Sequence, residues 1–418
     1  MTAPAVTAST LNALNTDPVT LGWMRGAPPP AELQVRHSNM THMQFPRTRW
    51  AYAHQRELMP TTRVWRGAGT PSALPVALRD DLDAVQCMPM GGSAPMTWEQ
   101  SLQANYTDAI VVLHRGRIVQ ERYFGVMAPH EVHIAMSVTK SYTGTLAATL
   151  VHEGLIDDTA PVQHYLPELA RCAFGHAIVR QVMDMITALD YSEDYTDPNA
   201  GIQHFVRAIG LLPRAPDYRG PDTTCEFLAT VQAAGEHGRA FTYKTVNTDV
   251  LAWIMRRVTG KRFGQLLSER IWQRIGCEED ASLIVDAEGT EFAGGGLSAT
   301  VRDMARFGET MRLGGQFNGQ QIVPTAVVDD IRRGANAAHF AGAGFHTLPG
   351  ASYRNMWWVT HNADGAFMAR GVHGQGIYIN PRAEVVIARF ASHPMAGNVH
   401  LDPTTLPAYQ AVCDHLRA

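Results

Sequence analysis

The chain has 418 residues, 45% of them hydrophobic and 18% charged, with a formal net charge of −4. That is the make-up of a globular protein with a sizeable core, which excludes a disordered or fibrous chain. So mild a charge, with no basic stripe interleaved with aromatics, excludes a nucleic-acid partner.

No run approaches the roughly eighteen apolar residues a bilayer crossing needs, so no membrane association is expected. The N-terminal MTAPAVTASTLNALNTDP has neither the basic start nor the apolar stretch of an export signal. Five cysteines (Cys87, Cys172, Cys225, Cys277, Cys413) are scattered and odd in number, giving neither a disulfide framework nor a zinc site and suiting a reducing cytoplasm. The length allows one large α/β domain with an insertion, or two domains of ordinary size.

Residues 1–95 are rich in Pro, Gly, Thr and Arg and read as an irregular arm, with Trp50, Tyr52 and Trp65 pinning it to the domain. DAIVVLHRGRIVQERYFG, 108–125, holds two β-rich runs split by the turn HRGR and predicts a hairpin. SVTKSYTGTLAATLVHEG then spaces Leu146, Leu150 and Val151 at helical intervals, with Gly154 to end the helix and Ser137 near its start.

From about 161 to 285 the pattern is mainly helical and reads as an insertion, including an apolar stripe of Val250, Leu251, Ile254 and Val258. The glycine run 294–296 reads as a turn into a helix starting near Thr300, with Asp303 in its first turn. Strand-like runs follow (SYRNMWWVT, AFMARGV, GIYIN, EVVIARFAS), and a helix over about 404–417 closes the chain. Strands at both ends, over 1–160 and 286–418, imply one sheet assembled from distant segments, an α/β (α+β) architecture with a helical insert.

The chemistry concentrates at Ser137-Val138-Thr139-Lys140. Residues three apart on a helix share a face, so the hydroxyl and the amine point into the same space. A serine hydroxyl attacks a carbonyl only when a base takes its proton, and a buried lysine becomes such a base. Lysine is rare here, three against 32 arginines, and with thirteen serines chance supplies about 0.1 such pair. No G-x-S-x-G elbow competes for the role. His130-Glu-Val-His133 is not a zinc motif, the glycine run lacks phosphate-loop context, and no metal or cofactor is called for.

Hairpin, S-x-x-K helix, helical insertion, Tyr243-Lys244-Thr245 and returning strands together resemble the class C β-lactamase, DD-peptidase and family VIII esterase group. More narrowly, the chain resembles the 6-aminohexanoate-dimer hydrolases, through RWAYAH (49–54), MSVTKS (136–141), LDYSEDYTDP (189–198), NTDVLAWI (247–254), WW (357–358) and GVHGQ (371–375). The resemblance implies a β-lactamase/DD-peptidase-like fold, an antiparallel sheet flanked by helices with a mainly helical second part. It implies catalytic Ser137, Lys140 and Tyr243, where the phenol held by Lys140 exists partly as phenolate, accepts the Ser137 proton and later donates it to the leaving amine or alkoxide.

The same resemblance implies an oxyanion hole from the N–H groups of Ser137 and Val372, and a substrate site including Tyr195, Trp358, Thr245, Gly371 and His373. Tyr195 would meet a substrate amide nitrogen. Acyl transfer to water from a small linear amide or ester is the expected reaction, in a homodimer. One departure stands out: the K-T-G of penicillin-binding sites is here Ala369-Arg370-Gly371, which speaks against ordinary β-lactamase activity. No acidic partner for a substrate amino group is visible, because Phe205 and Val206 occupy the neighbourhood where one would be sought. A carboxylesterase with little amidase activity, and a silent binding protein of the same fold, stay open.

Overall fold

The computed structural model describes residues 11–418. In chain order its main elements are strand β1 (Thr61–Val64), the hairpin β2 (Thr107–His114) and β3 (Arg117–Tyr123), β4 (His133–Ile134) and helix α1 (Val138–His152). Helices α2 (Gly201–Ala208) and α3 (Val246–Thr259) follow, then β5 (Ala281–Ile284), β6 (Leu297–Ala299) and α4 (Val301–Arg312). Five strands, β7 (Ser352–Arg354), β8 (Trp357–Val359), β9 (Phe367–Arg370), β10 (Gly376–Asn380) and β11 (Val385–Ala391), lead to the closing helix α5 (Asp402–Arg417).

The hairpin forms as its sequence predicts, turning at Arg115 and Gly116, both with positive φ (51° and 73°). Two left-handed residues give the turn whose twist matches that of its strands. The main sheet has seven antiparallel strands in the order β7-β8-β9-β10-β11-β2-β3. Its longest pairing joins β11 to β2, Val386 opposite Leu113 and Ala388 opposite Val111. Nearly every residue of these two strands is buried, since α4 packs against both and α5 against β11. A strand covered on both faces reads as a continuous apolar run, which is what AIVVL and VVIARFA are.

A second antiparallel sheet, in the order β1-β5-β6-β4, revises two expectations. The arm is not wholly irregular: its residues 61–64 pair with 281–284 as an edge strand. In turn β5, inside the range read as helical insertion, is a strand of this sheet. Short strands whose alternation spans four residues leave little periodic signal. Trp50 and Tyr52 are buried as expected, but Trp65 is 43% exposed and pins nothing. What ties the arm down is Arg49, which donates to Asp108 at 3.0 Å, with His133 Nε2 at 3.4 Å from the other carboxylate oxygen.

Candidate active site

Strand β4 leads through Ala135 and Met136 into α1, and Met136 takes φ +48°, a left-handed turn that sets Ser137 at the helix start. Thirteen of the fifteen residues of α1 are buried. Its serines and threonines are satisfied locally: Ser141 donates to Met356 O at 2.8 Å, and Thr145 to Ser141 O at 2.7 Å. A serine at an N-cap ordinarily spends its oxygen on a backbone N–H. Ser137 makes no such bond, and its Oγ lies 2.9 Å from Lys140 Nζ.

Lys140 is 1% exposed and also donates to Gly294 O at 2.5 Å. Burial pulls its pKa down to about 8, against the opposing pull of Glu193 and Asp249. A neutral amine is therefore within reach near neutrality. Asp249, on α3, accepts from Ala293 N at 3.0 Å, and burial raises its carboxyl while Lys140 holds it down.

Tyr243 precedes α3 and stacks on Trp358 of β8, ring centroids 5.5 Å apart at 29°. Lys140 Nζ sits 5.2 Å from the centroid of the Tyr243 ring, and Ser137 and Tyr243 line the same cleft. The three groups thus converge from α1 and from a loop a hundred residues away. Burial drives Tyr243 above the ordinary tyrosine range more strongly than Ser137 lowers it.

The N–H groups of Ser137 and Val372 make no backbone or side-chain hydrogen bond among the described residues, and both residues face an open cleft of about 650 Å³. Gly371 is not part of the wall of this cleft. A Cβ there would stand 2.8 Å from Ala135 O and 3.1 Å from Met136 Cβ, so its lack of a side chain lets β9 approach the nucleophile's turn. His373, at φ +62°, is bonded through Nδ1 to His393 O at 2.7 Å and held unprotonated by burial, with its pKa near 4.

Tyr195 lies in the cleft and donates its hydroxyl to Glu193 Oε1 at 3.0 Å. Glu193 also takes the Thr245 N–H at 2.9 Å and the Thr245 hydroxyl. Glu193 was missed in the sequence because a loop carboxylate beside two other acids reads as solvated surface. Gly294, taken as part of a turn, and Asp249, inside an apolar helix stripe, were missed too. Only a lysine in want of acceptors would have pointed to them. Arg370, beside Trp358 at 5.2 Å from the ring centroid, is bonded to Asp402 rather than free.

The Beta-lactamase family model matches residues 98–403. The chain belongs to the beta-lactamase family. Within it, the chain is similar to the 6-aminohexanoate-dimer hydrolase of Paenarthrobacter ureafaciens, 38% identical over 350 residues, 84% of this chain and 86% of that protein. It also resembles the structure of a Bacillus anthracis protein described as a 6-aminohexanoate-dimer hydrolase, at TM-score 0.84 and 33% identity over 93% of this chain and 99% of that one. EstCE1, a hydrolase with promiscuous acyltransferase activity, shares the fold at TM-score 0.58 and 15% identity, over 75% of this chain and 98% of its own. This beta-lactamase-family chain is a serine hydrolase by that membership. Among the described residues no cluster of His, Cys, Asp or Glu is arranged to hold a metal, and no helix is long and apolar enough to cross a membrane.

Proposed function

We propose that the chain hydrolyses linear amides and short-chain esters through an acyl-enzyme on Ser137, a reading supported by its likeness to the Paenarthrobacter protein named a 6-aminohexanoate-dimer hydrolase. The observation carrying the proposal is a buried lysine whose amine meets an uncapped serine hydroxyl beside the Tyr243 ring. Ser137 Oγ adds to the carbonyl carbon while neutral Lys140 takes its proton, and the carbonyl oxygen becomes an oxyanion facing the N–H groups of Ser137 and Val372. When the carbon–nitrogen or carbon–oxygen bond breaks, Tyr243 gives its proton to the departing atom and is reprotonated from Lys140. Water then adds to the acyl-enzyme by the same relay, releasing the acid and restoring Ser137.

Amide recognition rests on Tyr195. Its own proton is committed to Glu193, and burial and that carboxylate hold the phenol protonated, so its oxygen is left as an acceptor for a substrate N–H. That arrangement favours the amidase over the pure carboxylesterase. Ser137→Ala is expected to abolish turnover of a linear amide and of p-nitrophenyl butyrate, and brief exposure of the wild type should leave an acyl mass on Ser137. Wild-type rates in the variant would refute the assignment.

The homodimer and a cytoplasmic location belong to the same proposal. The first is supported by the resemblance and is checked by light scattering in solution. The second is supported by five cysteines without a disulfide, four of them buried.

A further inference from the structure

Ser137 belongs to the walls of two cavities. One is the open cleft already described; the other is a chamber of about 120 Å³ between α1, α2 and the arm. Ser137, Tyr195 and Val372 line both, but Tyr243 lines only the cleft and Lys140 only the chamber. The departing atom must meet the acid that protonates it, so the leaving group extends into the cleft with Tyr243. The acyl chain, on the far side of the carbonyl, is then directed into the chamber.

The chamber wall is apolar, built from Met59, Ile134, Met136, Ile202, Leu211 and Phe292, and holds no Asp or Glu. Its polar members are mostly engaged: Gln55 donates to Ala51 O at 2.8 Å, Gln203 to Tyr195 O at 3.3 Å, and His373 is tied to His393. Burial and the neighbouring His37 pull His42 down to about 4, leaving a neutral ring whose Nε2 has no partner. Two neutral groups without partners, His42 Nε2 and the Tyr52 hydroxyl, do not replace the hydration an ammonium gives up on entering, and the wall offers it no carboxylate to pair with.

Resting on the acyl-enzyme reading above, we propose that this chamber is the acyl subsite, and that it selects an uncharged aliphatic acyl chain against one ending in an ammonium. Its size is near that of a ~150 Å³ cavity able to hold benzene, which sets a chain of about six carbons as the upper limit. The chain therefore differs in substrate class from an enzyme acting on an ω-amino acyl group, while breaking the same kind of bond.

The test uses the full chain at pH 7 with p-nitrophenyl acetate, hexanoate, decanoate and 6-aminohexanoate. Hexanoate is expected to exceed 6-aminohexanoate in kcat/KM by about 100-fold or more, with decanoate falling off. Ile202→Phe, narrowing the chamber, should lower hexanoate relative to acetate. Val206→Asp, adding a carboxylate to the wall, should raise 6-aminohexanoate at least about tenfold relative to hexanoate. A wild type that takes 6-aminohexanoate as well as hexanoate overturns the inference, and that comparison needs no variant to fold. Activity in the wrong order strikes only this inference, whereas inactivity toward every ester, with Ser137 unlabelled by a fluorophosphonate, strikes the proposed function as well.

Discussion

Ser137 and Lys140 were legible as a pair because two rare circumstances coincide, a scarce lysine and a helical spacing of three. Their supports were not, because a backbone carbonyl such as Gly294 O leaves no residue-type signature. The same holds for Asp249, whose charge acts on Lys140 from behind. Lys140 must be unprotonated to serve as base, so kcat/KM should rise with pH through its lowered pKa of about 8. Asp249, when ionised, favours the protonated amine. Replacing it by Asn should therefore move that rising limb to lower pH by about one pH unit, read from the pH dependence of ester hydrolysis. A limb that stays in place would mean that another group titrates there. Tyr195→Phe removes an acceptor used only by an N–H, so it should cost about tenfold in kcat/KM on a linear amide and less than about twofold on the matching ester. Glu193→Ala, which frees the Tyr195 hydroxyl, is expected to act in the same direction.

Among the elements, those with long periodic signals were readable: the hairpin, α1, α3, α4 and the run of strands from β7 to β11. The small sheet was not, since β1 lies in a stretch rich in Pro, Gly, Thr and Arg and β5 at the end of a mainly helical one, and its strands meet only through tertiary pairing. Helix α1 shows why an element can carry a site without an amphipathic pattern. It is covered on nearly every side, and its small polar residues let neighbours come close. Gly144 marks the tightest approach, where a Cβ would stand 2.1 Å from Asn355 O in the turn between β7 and β8. Backbone cannot yield as a side-chain tip does. Gly144→Ala should thus destabilise the fold by about 1–3 kcal/mol in chemical denaturation, and lower kcat by tilting the helix that carries both Ser137 and Lys140. A retained denaturation midpoint would show that the turn can shift at no cost.

At the scale of the whole molecule, the arm is fastened at a buried ionic cluster of Arg49, Asp108 and His133. Burial alone would raise Asp108, but His133 and Arg49 together hold it below the usual carboxylate range. A carboxyl depressed in the folded state contributes stability above its unfolded pKa of about 3.9, and that contribution is lost as pH falls through the folded value. Acid should therefore loosen the arm only at strongly acidic pH. Asp108→Ala, which strands a buried guanidinium, should cost about 3–5 kcal/mol at neutral pH, measured by urea unfolding. The separation of paired strands along the chain has one more consequence. On a ribosome, β2 emerges about 270 residues ahead of β11, the strand it must lie beside, and β1 waits about 220 residues for β5. Closing such wide loops is slow, so the nascent polypeptide stays without a completed central sheet until β11 has been made.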